Sequence, residues 1–180
     1  MVEKAPYQVI KQIDDLEIRH YLQIILAVAP NSGYVSGFNL LFNYIQGANK
    51  SQKKISMTAP VITSEKIPMT APVISDQHYM AFILPASYTQ DTVPKPTNLQ
   101  IKIQIQPERT IAVKRFSGRA TKKDIEKQLD ILYNTLQKHK IETQGESFLM
   151  RYNSPFAPGF IRRNEVAIEI NLKKIKNKDG

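Results

Sequence analysis

The sequence contains no cysteine among its 180 residues. This absence excludes disulfide bonds, thiolate metal ligands, a cysteine nucleophile and attachment of a cofactor through a C-x-x-C-H motif. Long hydrophobic runs are also missing, since the longest, Ile24 to Pro30, is far too short to span a bilayer. The first residues, Met1 to Pro6, lack the apolar region of a signal peptide, so we predict no secretory signal and a cytoplasmic location.

The motifs of the common enzyme classes are missing too. The sequence has no G-x-G-x-x-G, P-loop, G-x-S-x-G or H-E-x-x-H pattern, and its three histidines lack metal-ligand spacing. A formal net charge of +9 makes nucleic acid and anionic membranes possible partners. No RNA-binding aromatic motif or zinc-finger spacing accompanies that charge. We therefore expect a monomeric binding protein rather than an enzyme, with no nucleic acid among its partners.

The most distinctive feature present is a near repeat of ten residues. Lys54–Thr63 (KISMTAPVIT) returns twelve positions later as Lys66–Ser75 (KIPMTAPVIS). Both copies are short, apolar and β-branched, so they predict two strands, Ile55–Val61 and Ile67–Val73, that pair as an antiparallel hairpin. The prolines of the two copies, Pro60 and Pro72, lack a backbone donor and belong at an edge, a bulge or a strand end.

The role expected for this repeat is chiefly structural. Thr58 and Thr70 should make backbone or cross-strand hydrogen bonds. Met57 and Met69 offer thioethers that suit the wall of an apolar pocket, with ordinary core packing as the alternative. An odd-numbered loop between the copies would place the two methionines on one face, and an even-numbered loop on opposite faces.

Hydrophobic periodicity divides the chain into two similar halves. Strands are predicted at 7–13, 16–29, 79–84, 99–106, 110–116, 148–152 and 166–172, and helices at 34–45 and 121–140. Six apolar residues at helical spacing should be buried: Phe38, Leu41, Ile125, Leu129, Leu132 and Leu136. The pattern of Leu16–Tyr21 also matches that of Ile111–Phe116. We predict an α+β fold in one domain, residues 1–180, with two β-β-α-β-β units (7–84 and 99–172) joined by residues 85–98.

Two parts of the sequence resemble the SOUL family of haem-binding proteins. The first is F-N-Y-I-Q-G-A-N at Phe42–Asn49, followed by a lysine pair and I-x-M-T-A-P-V. The second is Tyr152, Pro155 and R-R-N-E-V at Arg162–Val166. The resemblance runs from about Tyr7 to about Leu172. It implies a distorted antiparallel β-barrel flanked by two helices, with two-fold character, and non-covalent binding of haem or another porphyrin.

On this resemblance, the expected haem pocket lies between the first helix and the repeat. The helix would supply one wall through four residues: Phe38, Leu41, Phe42 and Ile45. Met57 and Met69 would belong to the other wall. Arg162 and Arg163 could hold the haem propionates bidentately. The alternative is a surface pair, or a buried pair that anchors Glu165.

An iron ligand is harder to assign from the sequence. His20 shares the apolar face of its strand with Ile18 and Leu22, so it is the candidate axial ligand. The alternative is a partly buried histidine that hydrogen-bonds a neighbour. Three tyrosines are further possible ligands, or amphipathic packing residues: Tyr44, Tyr79 and Tyr152.

Two other functions remain open at this point. The predicted architecture resembles the effector-binding domains of multidrug-sensing regulators, so the protein could bind apolar cations generally. Such a site needs a buried carboxylate, for which Glu65, Glu165 and Glu169 are candidates. A hydrolase on the same scaffold would need a perturbed acid or base in a cleft, and the sequence identifies none.

Overall fold

A computed structural model describes residues 3–30, 34–63 and 79–172, and in these ranges it has two helices and ten strands. The helices are α1 (Tyr34–Ile45) and α2 (Lys122–Lys138). The strands are β1 (Glu3–Lys4), β2 (Tyr7–Ile13), β3 (Leu16–Tyr21), β4 (Ile24–Pro30), β5 (Thr58–Thr63), β6 (Tyr79–Ile83), β7 (Lys102–Gln106), β8 (Arg109–Ser117), β9 (Thr143–Arg151) and β10 (Arg163–Ile170). The predicted α+β class is confirmed.

The strands form one mostly antiparallel sheet in the order β2-β3-β8-β10-β9-β5-β6-β4-β7, with β1 parallel to β5. The run β3-β8-β10-β9 is mirrored by β7-β4-β6-β5, and the two runs meet where β9 pairs with β5. This order makes β8 equivalent to β4, whereas the sequence pattern had matched β8 with β3. Within the described residues the sheet keeps two edges, β2 and β7, and does not close into a barrel.

The sheet is nevertheless strongly curved. Side chains on one face of strands that include β3, β5, β6, β8, β9 and β10 form a single buried core cluster, which among the described residues contains no helix residue. A flat sheet would leave this face open to water, so the strands must curve around it to bury these side chains.

The long strand expected from residue 16 to residue 29 is in fact two strands. β3 ends at Tyr21, β4 begins at Ile24, and the two lie six positions apart in the sheet order. The expectation was wrong because Leu22 and Gln23 carry no proline or glycine signal for the break. The split lets the first half of the chain contribute strands to both ends of the sheet.

The first copy of the repeat is a central strand rather than part of an isolated ribbon. Along β5, residues Val61–Thr63 pair with β6 on one side and with β9 on the other. The ladder to β6 shifts its register between Thr58 and Val61, which places Pro60 at an irregularity as expected. The second copy lies outside the described residues.

Thr58 lies in the strand ladder with cross-strand partners, as expected, but its hydroxyl adds no hydrogen bond to the described residues. The side chain is 3% exposed, and its oxygen has no partner within the described residues. Cross-strand partners of Thr58 are Ile83 and Glu3, and their backbones are engaged in pairing. The repeated motif therefore does not provide a hydrogen bond from the threonine hydroxyl at this position, and Thr70 lies outside the described residues.

Both helices pack on the same face of the sheet. α1 buries Phe38, Leu41 and Ile45 in one core cluster with strands β4, β5 and β6. α2 buries Ile125, Leu129, Leu132 and Leu136 in a second cluster with strands that include β3, β8 and β10. A third cluster fills the opposite face. All six residues predicted to be buried are at most 6% exposed.

The ends of the helices follow the sequence signals. Thr121 and Asp124 form a capping box at the start of α2, because each side chain accepts from the other's backbone N–H. Gly47 follows α1 with φ 117°, and the Gly47 and Ala48 N–H groups donate to the carbonyls of Tyr44 and Asn43. This is the glycine-terminated motif that satisfies the last carbonyls of a helix.

Removing a core side chain of α2 should destabilise the fold strongly. We expect Leu132→Ala to lower the free energy of unfolding by about 2–5 kcal/mol, since Leu132 is completely buried and its removal leaves a cavity. Urea denaturation measures the change. Leu99→Ala, at a residue that is 95% exposed, is the control and should stay within about 0.5 kcal/mol. Equal stabilities of the two variants would contradict this placement of α2.

Candidate ligand-binding site

The structure divides the predicted wall on α1 into a buried part and an exposed part. Phe38, Leu41 and Ile45 are 6%, 0% and 2% exposed, because they pack against the sheet. Phe42 is 38% exposed and stacks on Phe38, with ring centroids 5.7 Å apart and 15° between the planes. Of the four predicted residues, Phe42 alone presents a large apolar surface to solvent, and Phe38 supports it from below.

The segment after α1 is held firmly against the end of the helix. The Asn49 amide donates to the carbonyls of Tyr44 (3.1 Å) and Lys53 (2.8 Å), and its oxygen accepts from the Lys53 N–H. The Ile55 N–H donates to the Ile45 carbonyl at 2.7 Å. Sequence analysis included Asn49 in the Phe42–Asn49 motif but did not predict this anchoring role. This anchoring presents three exposed lysines beside α1: Lys50, Lys53 and Lys54.

The structure describes only one of the two methionines of the repeat. Met57 is partly buried and packs against the same core cluster as α1. Met69 lies outside the described residues. A methionine at the edge of this cluster can contact either the core or a ligand.

Arg162 and Arg163 have separate roles within the fold. Arg162 donates from Nε to the Ala157 carbonyl at 2.8 Å and from Nη2 to the Pro155 carbonyl at 2.7 Å. Arg163 donates from Nη2 to Glu165 at 2.7 Å, and its guanidinium lies 4.1 Å from the centroid of the Tyr152 ring. The alternative of an arginine anchoring Glu165 thus describes Arg163 but not Arg162.

A buried ionic network surrounds Glu165, on the sheet face opposite the helices. Glu165 is 0% exposed and Arg19 is 1% exposed. Arg19 donates two hydrogen bonds of 2.8 Å to the two oxygens of Glu165, a bidentate pair. The Tyr152 hydroxyl donates to Glu165 at 2.7 Å, and the Arg19 Nε donates to Glu17 at 2.7 Å. Arg19 was missed, although period-two alternation places it on the face opposite Ile18.

The network fixes the ionisation of its members. Burial alone would raise the pKa of Glu165, but the hydrogen bonds and charge of Arg19 outweigh burial and hold that pKa below its usual range. Burial alone would lower the pKa of Arg19, yet Glu165 raises it above its ordinary value. Burial and the charge of Glu165 both raise the pKa of Tyr152, so its hydroxyl keeps the proton that it donates.

His20 lies away from α1, on β3 near the other end of the sheet order. Its Nδ1 is 3.3 Å from the Thr110 hydroxyl, and its Nε2 is 3.5 Å from a carboxylate oxygen of Glu108. This is the arrangement of a histidine that hydrogen-bonds its neighbours. No group of three or more metal-binding side chains occurs within residues 3–30, 34–63 and 79–172.

A cavity of about 450 Å³ opens near the start of β5. Its lining is largely apolar and includes Leu22, Ile24, Ile83, Leu84 and Tyr88. The charged residues of the lining are Glu3 and Asp91, both acidic. The volume suits a small molecule, but the charge of the lining does not suit a dicarboxylate.

The chain belongs to the SOUL family: the family model described as SOUL heme-binding protein matches residues 2–169. It is similar to "Heme-binding protein 2" of Mus musculus, at 31% identity over 183 residues, covering 97% of this chain and 88% of that protein. It is also similar to "Heme-binding protein 2" of Homo sapiens, at 30% identity over 159 residues, covering 84% of this chain and 77% of that protein.

The fold resembles a solved structure of much lower identity, the EcmrR C-terminal domain. The TM-score is 0.63 at 8% identity, and the match covers 92% of this chain and 98% of that one. This likeness concerns the fold alone. Neither helix in the described part of the chain is long and apolar enough to cross a membrane.

Removing the charge of Glu165 should be far more costly than removing that of a neighbour on the same strand. We expect Glu165→Gln to lower the free energy of unfolding by about 3–5 kcal/mol, because Arg19 and Arg163 lose a buried partner. Glu169→Gln is the matched control, since Glu169 lies 4.0 Å from Arg109 and is partly exposed. Urea denaturation that finds equal losses for the two variants would refute the structural role of the network.

The same network predicts how stability depends on pH. Glu165 has a lowered pKa in the folded state, so its stabilisation is present above the ordinary value of about 4.5 and is lost as pH falls through the folded pKa. We expect the free energy of unfolding to fall below pH 4.5 more steeply in the wild type than in Tyr152→Phe, which removes one hydrogen bond to the carboxylate. Thermal unfolding between pH 6 and pH 3 measures both slopes, and parallel slopes would contradict the assignment.

Proposed function

We propose that this protein binds haem, or a closely related tetrapyrrole, without covalent attachment. Membership of the SOUL family supports haem as the ligand, and two relatives carry heme binding in their names. The absence of cysteine leaves no thioether attachment and no thiolate ligand to iron. The position proposed for the haem rests on Phe42, which is 38% exposed and stacks on buried Phe38.

Phe42 offers the kind of surface that a flat macrocycle needs. An aromatic ring that is already braced by a second ring can stack against a porphyrin with little further loss of side-chain entropy. Met57, at the edge of the same core cluster, can contact the macrocycle through its thioether. Phe38, Leu41 and Ile45 then act as the support of this surface, because they are buried in the core.

The propionates of haem need cations that are free to move toward them. Lys50, Lys53 and Lys54 are exposed and directly follow α1. Arg163 is engaged by Glu165, and Arg162 donates to two loop carbonyls. We therefore assign the propionate contacts to the lysines ahead of the two arginines that the family motif first indicated. The acidic lining of the cavity near β5 argues against a dianionic ligand there.

The two other functions are less well supported. An apolar cation needs a carboxylate with unused charge, but the buried Glu165 already accepts from Arg19, Arg163 and Tyr152. A catalytic role needs a perturbed group that is free to exchange a proton. Arg19 and Tyr152, whose pKa values are strongly raised, both bind Glu165 inside the protein. We infer a binding role rather than catalysis.

We also propose that residues 7–84 and 99–172 are two copies of one β-β-α-β-β unit within a single domain, with β2 as an additional edge strand of the first copy. The mirrored strand order about the β5–β9 pair supports this duplication. The curvature that buries the face without helices supports a sheet bent toward a distorted barrel. A duplicated fold supplies two helices on one face, and only α1 presents a stacked aromatic pair.

A haemin titration followed at the Soret band tests the proposed ligand and its position. We expect saturable binding at micromolar haemin, and we expect Phe42→Ala to weaken affinity by about tenfold, which corresponds to the loss of roughly 1.4 kcal/mol of stacking and burial. Lys53→Gln with Lys54→Gln should weaken it by no more than about fivefold, because exposed ion pairs contribute little. His20→Ala should leave the Soret maximum unchanged.

The control is Leu99→Ala, which removes an apolar side chain that is 95% exposed elsewhere on the surface. It should bind haemin like the wild type. A substitution of Leu41 would be a poorer probe, because that residue is completely buried and any change also perturbs the core. Absence of a saturable spectral change would refute haem binding, whereas equal affinities of Phe42→Ala and Leu99→Ala would refute the position.

A further inference from the structure

The segment between β9 and β10 carries the most exposed aromatic side chains of the described protein. Phe156 is 74% exposed, Phe160 is 85% exposed and Ile161 is 54% exposed. These three large apolar residues lie within six positions of the sequence, in a segment that we name the apolar loop (residues 153–162). Soluble proteins rarely leave such residues in water without a binding role.

The apolar loop is ordered by its own hydrogen bonds. Arg162 ties it together through the carbonyls of Ala157 and Pro155, at 2.8 and 2.7 Å. The Asn153 side-chain oxygen accepts from the Arg163 N–H at 2.7 Å, which fixes the loop to the start of β10. A short 3₁₀ turn, Gly159–Ile161, sits at its end. The aromatic residues are therefore held outward on a braced support, so little conformational entropy remains to be lost on binding.

Gly159 brings a cation next to the exposed aromatic residues. A Cβ atom at Gly159 would meet Cγ of Arg119 at 2.8 Å, so the stem of Arg119 lies directly on the glycine. The Arg119 side chain is exposed. A basic side chain whose stem packs against an apolar loop keeps its charged end free to reach an anion.

The charge around the apolar loop is positive. The sequence has no acidic residue between Glu146 and Glu165. Lys122 and Lys123 open α2 shortly after Arg119, and Arg162 donates to carbonyls rather than to carboxylates. Two acidic residues lie on the first turns of α2: Asp124 is engaged in the capping box, and Glu126 lies 3.9 Å from Lys122. The basic residues exceed the acidic ones in this region.

We propose that the apolar loop docks on the surface of an anionic phospholipid membrane. Phe156, Phe160 and Ile161 would enter the interface between headgroups and acyl chains. Arg119 and Lys123 would contact the lipid phosphates or carboxylates. Stable attachment to a membrane surface takes both apolar insertion and basic residues, and the apolar loop combines the two.

The shape of the apolar loop favours a membrane over a protein partner. Side chains that are 74% and 85% exposed stand out from their surroundings, whereas a protein interface is built around a flat or concave apolar centre with a polar rim. Protruding aromatic side chains can insert into a fluid lipid layer, because the layer deforms around them. This proposal is independent of haem binding, since it involves the opposite end of the chain from α1.

A single fluorescent reporter can test the insertion, because the wild-type chain contains no tryptophan. The reporter variant is Phe160→Trp in the full chain, mixed with vesicles of phosphatidylcholine alone or with 30% phosphatidylserine (roughly the composition of an anionic leaflet). We expect a blue shift of the emission and quenching by brominated acyl chains with the anionic vesicles only. Leu99→Trp is the control and should show neither effect.

Sedimentation with the same vesicles provides a second, independent readout. The double variant Phe156→Ser with Phe160→Ser should bind at least about tenfold less, since it removes two inserting side chains without touching the core. Arg119→Gln should bind the anionic vesicles more weakly, and its binding should depend less on salt concentration. Leu99→Ser is the control and should bind like the wild type. Three results would overturn the proposal: no binding to the anionic vesicles, equal binding by the double variant, or a Phe160→Trp spectrum that the vesicles leave unchanged.

Discussion

The buried pair between Arg19 and Glu165 is the interaction on which the arrangement of the strands most depends. It joins β3, near the start of the chain, to β10, near its end, across the intervening β8. A fully buried carboxylate cannot stay ionised without such partners, because its desolvation costs several kcal/mol. The registers of β3 and β10 relative to the intervening β8 must therefore be fixed, so that Arg19, Arg163 and Tyr152 can reach the same carboxylate. This constraint fixes one end of the sheet and leaves the helices free to occupy the other face.

The two faces of the sheet have different roles in this account, one in stability and the other in the proposed binding. The face with the ionic network is closed by its own side chains, so its charges serve the fold. The face with the helices is also well packed, and the ligand surface that we propose is the outer side of α1 with the lysine segment anchored by Asn49. The apolar loop at the start of β10 is a third surface, braced by Arg162. One pair of neighbouring arginines thus has two tasks, since Arg163 completes the core and Arg162 shapes a loop.

The parts of the fold that the sequence could predict are those governed by local patterns. The helix periodicity of residues such as Leu129 and Leu132, the capping box at Thr121 and the glycine end of α1 depend on neighbours within a few positions, and all were found. The break between β3 and β4 was not, because Leu22 and Gln23 continue an apolar pattern while the chain changes its place in the sheet. Strand order depends on contacts over more than a hundred residues, which periodicity does not encode.

The candidate site shows the same limit. Sequence reasoning predicted that Leu41 is buried but also assigned it, together with Phe42, to the ligand wall. The two residues are apolar and adjacent, so the pattern did not show that Phe42 is the one that faces solvent. Arg19 went unnoticed because its partner lies 146 positions away. Glu165, in contrast, could be named as an anchor for an arginine, because the two lie within one short motif.

The central claim is that haem binds on the outer side of α1 and the adjoining lysine segment. Hydrogen–deuterium exchange with and without haemin tests it most directly, because it maps protection along the whole chain without any substitution. The account predicts slower exchange in peptides that cover residues 35–57 and unchanged exchange in those that cover 153–162. Protection that instead falls on the lining of the cavity near β5, or on no part of residues 35–57 at saturating haemin, would contradict it.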